Sequence, residues 1–99
     1  MQIAIHLTGL PAYIAGRNRL EVDFPKGDGA SVGDALARIE EYIAEAPAGE
    51  GLPRQDLAEG YMIFLRRSEV TRSVATLGGR ETVLEDGDEL VLIHRFTGG

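Results

Sequence analysis

The first part of the chain alternates between apolar and polar side chains, which is typical of strands with one buried face. Residues 2–8 place Ile3, Ile5 and Leu7 on one side of such a strand. Residues 20–24 repeat the alternation after a loop that contains glycine and proline. The two runs predict a hairpin of half-buried strands.

The next segment changes to a helical period. Ser31 and Asp34 stand at its start, in the spacing with which a hydroxyl and an acidic side chain cap the free N–H groups of a helix. We expect the helix to end near Ala46, because the residue before a proline disfavours the helical conformation. The apolar stripe that should face the core consists of Val32, Leu36, Ile39 and Ile43.

The remainder of the chain predicts further strands. Residues 61–65 are almost wholly apolar and indicate a strand in the middle of a sheet, after a loop over residues 47–60. A short edge strand is expected near Val74–Thr76. Residues 85–88 predict a tight turn that leads into a last strand over residues 89–96.

This order of elements predicts an α+β fold, with a mixed sheet of four to five strands packed on one main helix. We expect the last strand to pair in parallel with the first at the centre of the sheet, with the helix covering the crossover. A chain of 99 residues supports one core, so residues 1–99 are expected to form a single domain.

Composition narrows the class of function. The net charge of −6 argues against a nucleic-acid binder, which would need a basic face. The absence of cysteine excludes disulfides, thiolate metal sites and a cysteine nucleophile on this chain. The sequence contains no apolar stretch of membrane-spanning length and no secretory leader pattern, so we expect a cytoplasmic protein that does not bind membranes.

Candidate catalytic chemistry is sparse. His6 and His94 have no cluster of metal-ligating residues near them in the sequence. The segment Asp86-Gly87-Asp88 lacks the remaining positions of a calcium loop, so it predicts a turn. We therefore expect no enzyme activity, no metal and no cofactor.

The sequence ends with Gly98-Gly99, one residue after the predicted last strand. Glycine permits close backbone approach, so such a tail, over about residues 95–99, could enter a narrow channel that any Cβ would block. A carboxylate at its tip would be a handle for another enzyme. A frayed end without a role is the alternative interpretation.

Three features together resemble the ubiquitin-like β-grasp sulfur carriers of the MoaD/ThiS group. They are residues 30–36 at the helix start, residues 84–90 before the last strand, and the Gly98-Gly99 end. The long first loop, residues 8–16, is more similar to MoaD, the small subunit of molybdopterin synthase, than to ThiS. The resemblance implies a β-grasp fold and a carrier role.

The resemblance also implies a chemistry and a set of partners. An ATP-dependent adenylating enzyme would activate the carboxylate of Gly99, and a sulfur donor protein would convert it to a thiocarboxylate. The large subunit of molybdopterin synthase, or another sulfur-accepting enzyme, would then take the sulfur. Gly98 would provide clearance in the active sites of these enzymes.

Partner binding is expected on the last strand and its tail. Alternation directs Val91 and Ile93 to the sheet face opposite the helix, where exposed apolar side chains indicate docking. Arg95 and Phe96 lie near the tail and are of types common at binding hot spots. Three alternatives stay open: a carrier for thiamin or another sulfur metabolite, a modifier joined to target lysines, and a non-reactive binding module.

Overall fold

The computed structural model describes residues 1–9, 12–13, 16–25, 29–46 and 60–94. One-turn 3-10 helices over Val74–Thr76 and Gly79–Glu81 precede the last strand. No helix in the described part of the chain is long and apolar enough to cross a bilayer. In chain order, the main elements are β1 (Gln2–His6), β2 (Arg19–Asp23), α1 (Val32–Glu45), β3 (Tyr61–Arg67), β4 (Val70–Ser73) and β5 (Glu89–His94).

The strands form one five-stranded sheet in the order β2-β1-β5-β3-β4. β1 and β5 pair in parallel, with Ile5 opposite Leu90, whereas the other neighbours pair antiparallel. The parallel pair lies at the centre of the sheet, and α1 covers one face. The predicted α+β architecture and the predicted parallel pairing are both confirmed.

The core lies between α1 and the covered face of the sheet. The predicted alternation is confirmed in β1, β2 and β5, because the inward positions are buried and the intervening ones are more exposed or face the other side. Burying a large aliphatic side chain contributes about 1.5–3 kcal/mol, so this layer is the main source of stability. Its most deeply buried members, each at most 2% exposed, are Ile3, Ile5, Leu7, Leu90, Leu92, Val32, Ala35, Leu36 and Ile39.

The helix begins with the predicted cap. The Asp34 backbone N–H donates to the Ser31 hydroxyl oxygen over 3.2 Å, and the Ser31 backbone N–H donates to the Asp34 carboxylate over 2.9 Å. The helix ends at Glu45, followed by Ala46 in an extended conformation, as the following proline predicted. Gly33 has a packing role, because a Cβ there would lie 3.2 Å from the carbonyl oxygen of Arg80.

The expected edge strand near Val74–Thr76 was wrong. The edge strand β4 occupies Val70–Ser73 instead, and Val74, only 4% exposed, turns into the core within a 3-10 turn. The reason is the tight hairpin between β3 and β4. Because only two residues separate the strands, β4 begins at Val70, before the predicted position. The two turn residues, Ser68 and Glu69, have φ of 51° and 66°, although turns of this kind favour glycine or asparagine.

The capping box gives a first prediction. Replacing Ser31 by alanine removes the acceptor for the Asp34 N–H and should lower the free energy of unfolding by about 1 kcal/mol, or about 4–8 °C in Tm. Chemical and thermal unfolding measure both. Ser73→Ala is the matched control, because Ser73 precedes a 3-10 turn without a side-chain cap bond. Equal losses in the two variants would contradict the role of the cap.

Candidate functional site

The start of β5 is fixed by the turn over residues 85–88. The Asp88 backbone N–H donates to the Glu85 carbonyl over 3.1 Å, and the Glu85 N–H donates to the Asp88 carboxylate over 2.7 Å. The prediction of a turn is therefore confirmed. In the described part of the chain, no group of three or more His, Cys, Asp or Glu side chains is placed to hold a metal ion.

Arg67 at the end of β3 binds this turn. Its Nε and Nη2 donate to the two carboxylate oxygens of Asp88 over 2.9 and 2.7 Å, and its Nη1 lies 2.7 Å from a carboxylate oxygen of Glu85. Nη2 also donates to the Val83 carbonyl over 3.2 Å. Asp88 is only 1% exposed, so its charge depends on these donors. The hydrogen bonds between Arg67 and the Asp88 carboxylate raise the pKa of the Arg67 guanidinium above its ordinary value.

The same turn also holds β1. The Gln2 backbone N–H donates to the Asp86 carboxylate over 2.8 Å, and the Gln2 carbonyl accepts from the Gly87 N–H over 2.9 Å. The Ala4 N–H donates to the Asp88 carbonyl over 3.1 Å. One four-residue turn thus joins the three central strands and sets the register of β5.

That register places four apolar side chains together on the sheet face opposite α1. Ile93 lies opposite Met62, and Val91 lies opposite Phe64. Met62 and Ile93 are 40% and 38% exposed, and the other two are partly buried. We call these four residues the open-face patch. The predicted outward direction of Val91 and Ile93 agrees with this arrangement.

Met62 and Phe64 were missed as members of the site. The apolar run in β3 predicted a central strand, and β3 does lie between β5 and β4. When every residue of a strand is apolar, the sequence does not distinguish residues on the exposed face of the sheet from those on the covered face. Only the pairing with Val91 and Ile93 shows that the outward members of β3 extend the predicted surface.

A polar border adjoins the open-face patch. A carboxylate oxygen of Glu89 lies 3.9 Å from Nε of Arg66, and the other lies 3.7 Å from Nε2 of His6. These groups are partly exposed to water, so the contacts among them contribute little to stability. An apolar centre with a charged rim is the usual composition of a protein-binding surface.

The outer end of β5 is also anchored. The Thr8 hydroxyl donates to the Leu92 carbonyl over 3.0 Å, which ties this end to the segment after β1. Tyr61 lies opposite His94 in the register, and burial raises the pKa of its hydroxyl. The remaining predicted site residues lie outside the described residues: Arg95, Phe96, Gly98 and Gly99.

The sequence matches no protein-family model and no curated protein at a significant level. Solved structures, in contrast, match almost the whole chain. Small archaeal modifier protein 1 from Methanosarcina acetivorans is 20% identical, with 99% of this chain and 96% of that chain covered and a TM-score of 0.66. The chain has the ubiquitin-like β-grasp fold.

Two further solved structures also match the fold of this chain over nearly its whole length. A chain of the Amycolatopsis orientalis BexX/CysO complex is 19% identical, with 98% of this chain and 99% of that chain covered and a TM-score of 0.64. A candidate molybdopterin converting factor subunit 1 from Pyrococcus furiosus is 17% identical, with coverages of 97% and 99% and a TM-score of 0.62. The neighbours are MoaD-like and ThiS-like proteins, which confirms the resemblance at the level of the β-grasp fold.

The Arg67 contacts give a second prediction. Arg67→Ala leaves the buried Asp88 carboxylate with the Glu85 N–H as its remaining described donor, and should lower the free energy of unfolding by about 2–3 kcal/mol. Arg72→Ala, on the exposed edge strand, is the matched control and should change it by less than about 0.5 kcal/mol. Urea denaturation of the two variants measures the difference. A loss at Arg67 no larger than at Arg72 would contradict the role of the pair.

Proposed function

We propose that this chain is a sulfur carrier. In this proposal, the carboxylate of Gly99 is adenylated and converted to a thiocarboxylate, and its sulfur is used in molybdopterin biosynthesis. The observation that carries the proposal is the sequence order of β5 and the two glycines. β5, which ends at His94 and forms half of the open-face patch, leads after a few residues to Gly98-Gly99.

The chemistry requires activation because a carboxylate is anionic and therefore a poor electrophile. An oxygen of the Gly99 carboxylate attacks the α-phosphorus of ATP, and pyrophosphate leaves. Sulfide (HS⁻) delivered by a donor protein then attacks the acyl carbon, AMP leaves, and the thiocarboxylate remains at Gly99. The chain acts as a carrier rather than as a catalyst. Gly98 and Gly99 lack a Cβ, so the tip fits the narrow active sites of successive enzymes.

The open-face patch is the proposed docking surface for these partners. Half of it lies on β5, a few residues before Gly99 in the sequence, so a partner bound there could reach the tip. Arg95 and Phe96 would supply anchors near the reacting group, since such side chains are frequent hot spots. The adenylating enzyme and the molybdopterin synthase large subunit, or another sulfur acceptor, would then bind in turn rather than together.

A protein modifier is the second candidate, because the same activated Gly99 would form an amide with a lysine of a target. It is supported by the similarity in fold to a protein named as a modifier. Another sulfur destination, such as thiamin, would use the carrier chemistry unchanged. The candidates therefore differ in what attacks the activated carbonyl.

A third prediction tests the carrier. Incubation of the chain with ATP, sulfide and an adenylating enzyme of the MoaD/ThiS type should give a thiol-reactive group on the fragment that ends in Gly99. Intact-mass and fragment analysis after thiol labelling detects it. The label is needed because replacing one oxygen by sulfur increases the mass by nearly the same amount as oxidation of Met1 or Met62. Mass alone would therefore not distinguish a thiocarboxylate from an oxidised methionine. Without cysteine, the unreacted chain has no thiol to label.

Two glycine variants make this assay specific. Gly98→Ala should lower the labelling rate about tenfold or more, because its Cβ would obstruct the channel. Gly60→Ala is the matched control, since a Cβ there meets no atom within 4 Å. Amide conjugates in place of a thiocarboxylate would support the modifier. No adenylation of Gly99 by any such enzyme would contradict both candidates.

A fourth prediction concerns docking. Ile93→Asp places a charge in the open-face patch and should weaken binding to the adenylating enzyme about thirtyfold, the effect expected of a hot spot. Surface plasmon resonance measures the affinity. Val83→Asp is the matched control, because Val83 is 67% exposed and lies outside the patch. Equal affinities for the two variants would place docking elsewhere.

A further inference from the structure

The chain itself carries sulfur in only two side chains. The sequence contains Met1 and Met62 and no cysteine, so these two thioethers are its only sulfur atoms before any sulfur is loaded on Gly99. Methionine thioethers are common targets of oxidation, which converts them to the polar sulfoxide. The place of each methionine in the fold therefore decides what such oxidation would change.

Met1 is tied to the first hairpin. Its amino group donates to the Phe24 carbonyl over 2.9 Å, and its own carbonyl accepts from the Phe24 N–H over 2.8 Å. The Met1 side chain is partly buried and packs against the core. An oxidant has limited access to this thioether, and its oxidation would act on the core rather than on the open-face patch.

Met62 lies instead in the open-face patch. It is the second residue of β3, and the register sets it opposite Ile93 on the face that α1 does not cover. These two residues, 40% and 38% exposed, are the most exposed members of the patch, whereas Val91 and Phe64 are partly buried. A dissolved oxidant can therefore reach the Met62 thioether in the free chain.

We propose that Met62 is an oxidation site that controls docking to the open-face patch, with hydrogen peroxide as the oxidant. A lone pair of the Met62 sulfur attacks one peroxide oxygen, and the O–O bond breaks. The leaving hydroxide takes the proton of the transferred oxygen and becomes water. The sulfur loses two electrons, the peroxide gains them, and Met62 becomes methionine sulfoxide.

The free chain should tolerate this change. Because Met62 lies on the face opposite α1, its sulfoxide oxygen stays hydrated and no core contact is lost. Changes at exposed positions usually alter stability little. The register of β5 is set at the other end of the sheet, where Arg67 binds Asp88. Oxidation of Met62 would therefore change the chemistry of the patch without unfolding the chain.

A docked complex should not tolerate it. The sulfoxide oxygen is a hydrogen-bond acceptor, and an apolar interface over Ile93 and Val91 would bury it without a donor, which is costly. The sulfoxide is also uncharged, so the net charge of −6 that influences encounter with a partner is unchanged. The loss of affinity should therefore lie mainly in the dissociation rate.

This inference rests on the proposed function, because it takes the open-face patch as the surface that binds the adenylating enzyme. It adds a condition to that docking: the chain binds while Met62 is a thioether and is released once Met62 is a sulfoxide. Sulfoxide reductases restore the thioether, so the block is reversible. Adenylation of Gly99 would fall in the presence of peroxide and recover afterwards.

The first test follows the oxidation of the full chain by hydrogen peroxide. Fragment mass analysis over time should show one oxygen added to the fragment with Met62 before any is added to the fragment with Met1. A thermal melt of the singly oxidised chain should shift by less than about 4 °C. Oxidation of Met1 first, or loss of the fold on oxidation of Met62, would overturn the proposal.

The second test measures docking of the singly oxidised chain to an adenylating enzyme of the MoaD/ThiS type by surface plasmon resonance. The dissociation constant should rise at least about tenfold relative to the untreated chain. Most of this rise should come from faster dissociation. Incubation with the reductases for both sulfoxide epimers and a thiol should restore the original affinity.

Two variants assign the effect to one side chain. Met62→Leu is the matched control, because leucine keeps an apolar side chain of similar volume and leaves Met1 as the remaining thioether. Peroxide should leave the affinity of this variant unchanged. Met62→Gln places an uncharged polar group in the patch, and it should bind about as weakly as the oxidised chain without any peroxide.

The outcomes separate this inference from the function on which it rests. Equal affinities of the untreated and the oxidised chain would overturn control by Met62 and leave the docking surface intact. A loss of affinity that persists in peroxide-treated Met62→Leu would assign the effect to Met1 and likewise overturn it. Failure of the untreated chain to bind any such enzyme would overturn the docking surface and this inference together.

Discussion

The structure depends on one carboxylate that is buried at the start of its central strand. A charge in such a position is tolerated only when it is paired and hydrogen-bonded, and Arg67 satisfies both oxygens of Asp88. Meeting this requirement brings together the end of β3, the turn over residues 85–88 and the first residue of β5. A shift of β5 by one residue would turn Leu90 and Leu92 outward and would also separate this pair.

The Arg67–Asp88 pair also determines which side chains meet in the candidate site. Because the register of β5 is fixed at its start, Ile93 meets Met62 at the other end of the strand. An exposed apolar patch favours unwanted association, which a net charge of −6 counteracts by repulsion. By itself, the acidic composition indicated only that nucleic acid is not the partner. It also suits a protein that exposes the apolar open-face patch.

The parts of the fold that could be predicted are those that local patterns encode. Alternation, the capping residues Ser31 and Asp34, and the proline after Ala46 each act over a few residues. The hairpin of Ser68 and Glu69 was missed because its left-handed conformation occurs without a glycine. The Arg67–Asp88 pair and the extension of the open-face patch onto β3 were not predictable, since both arise from elements that only the tertiary fold brings together.

The central position of β5 has a consequence for synthesis. Hairpins β1–β2 and β3–β4 are local and can form as the chain emerges from the ribosome, but the sheet order leaves neither complete without the last strand between them. Contacts such as that of Thr8 with Leu92, 84 residues apart, make this final insertion slow relative to the hairpins. A chain that lacks β5 therefore has no assembled sheet and no complete open-face patch. A partner can bind this patch only after β5 has been synthesised and has joined the sheet.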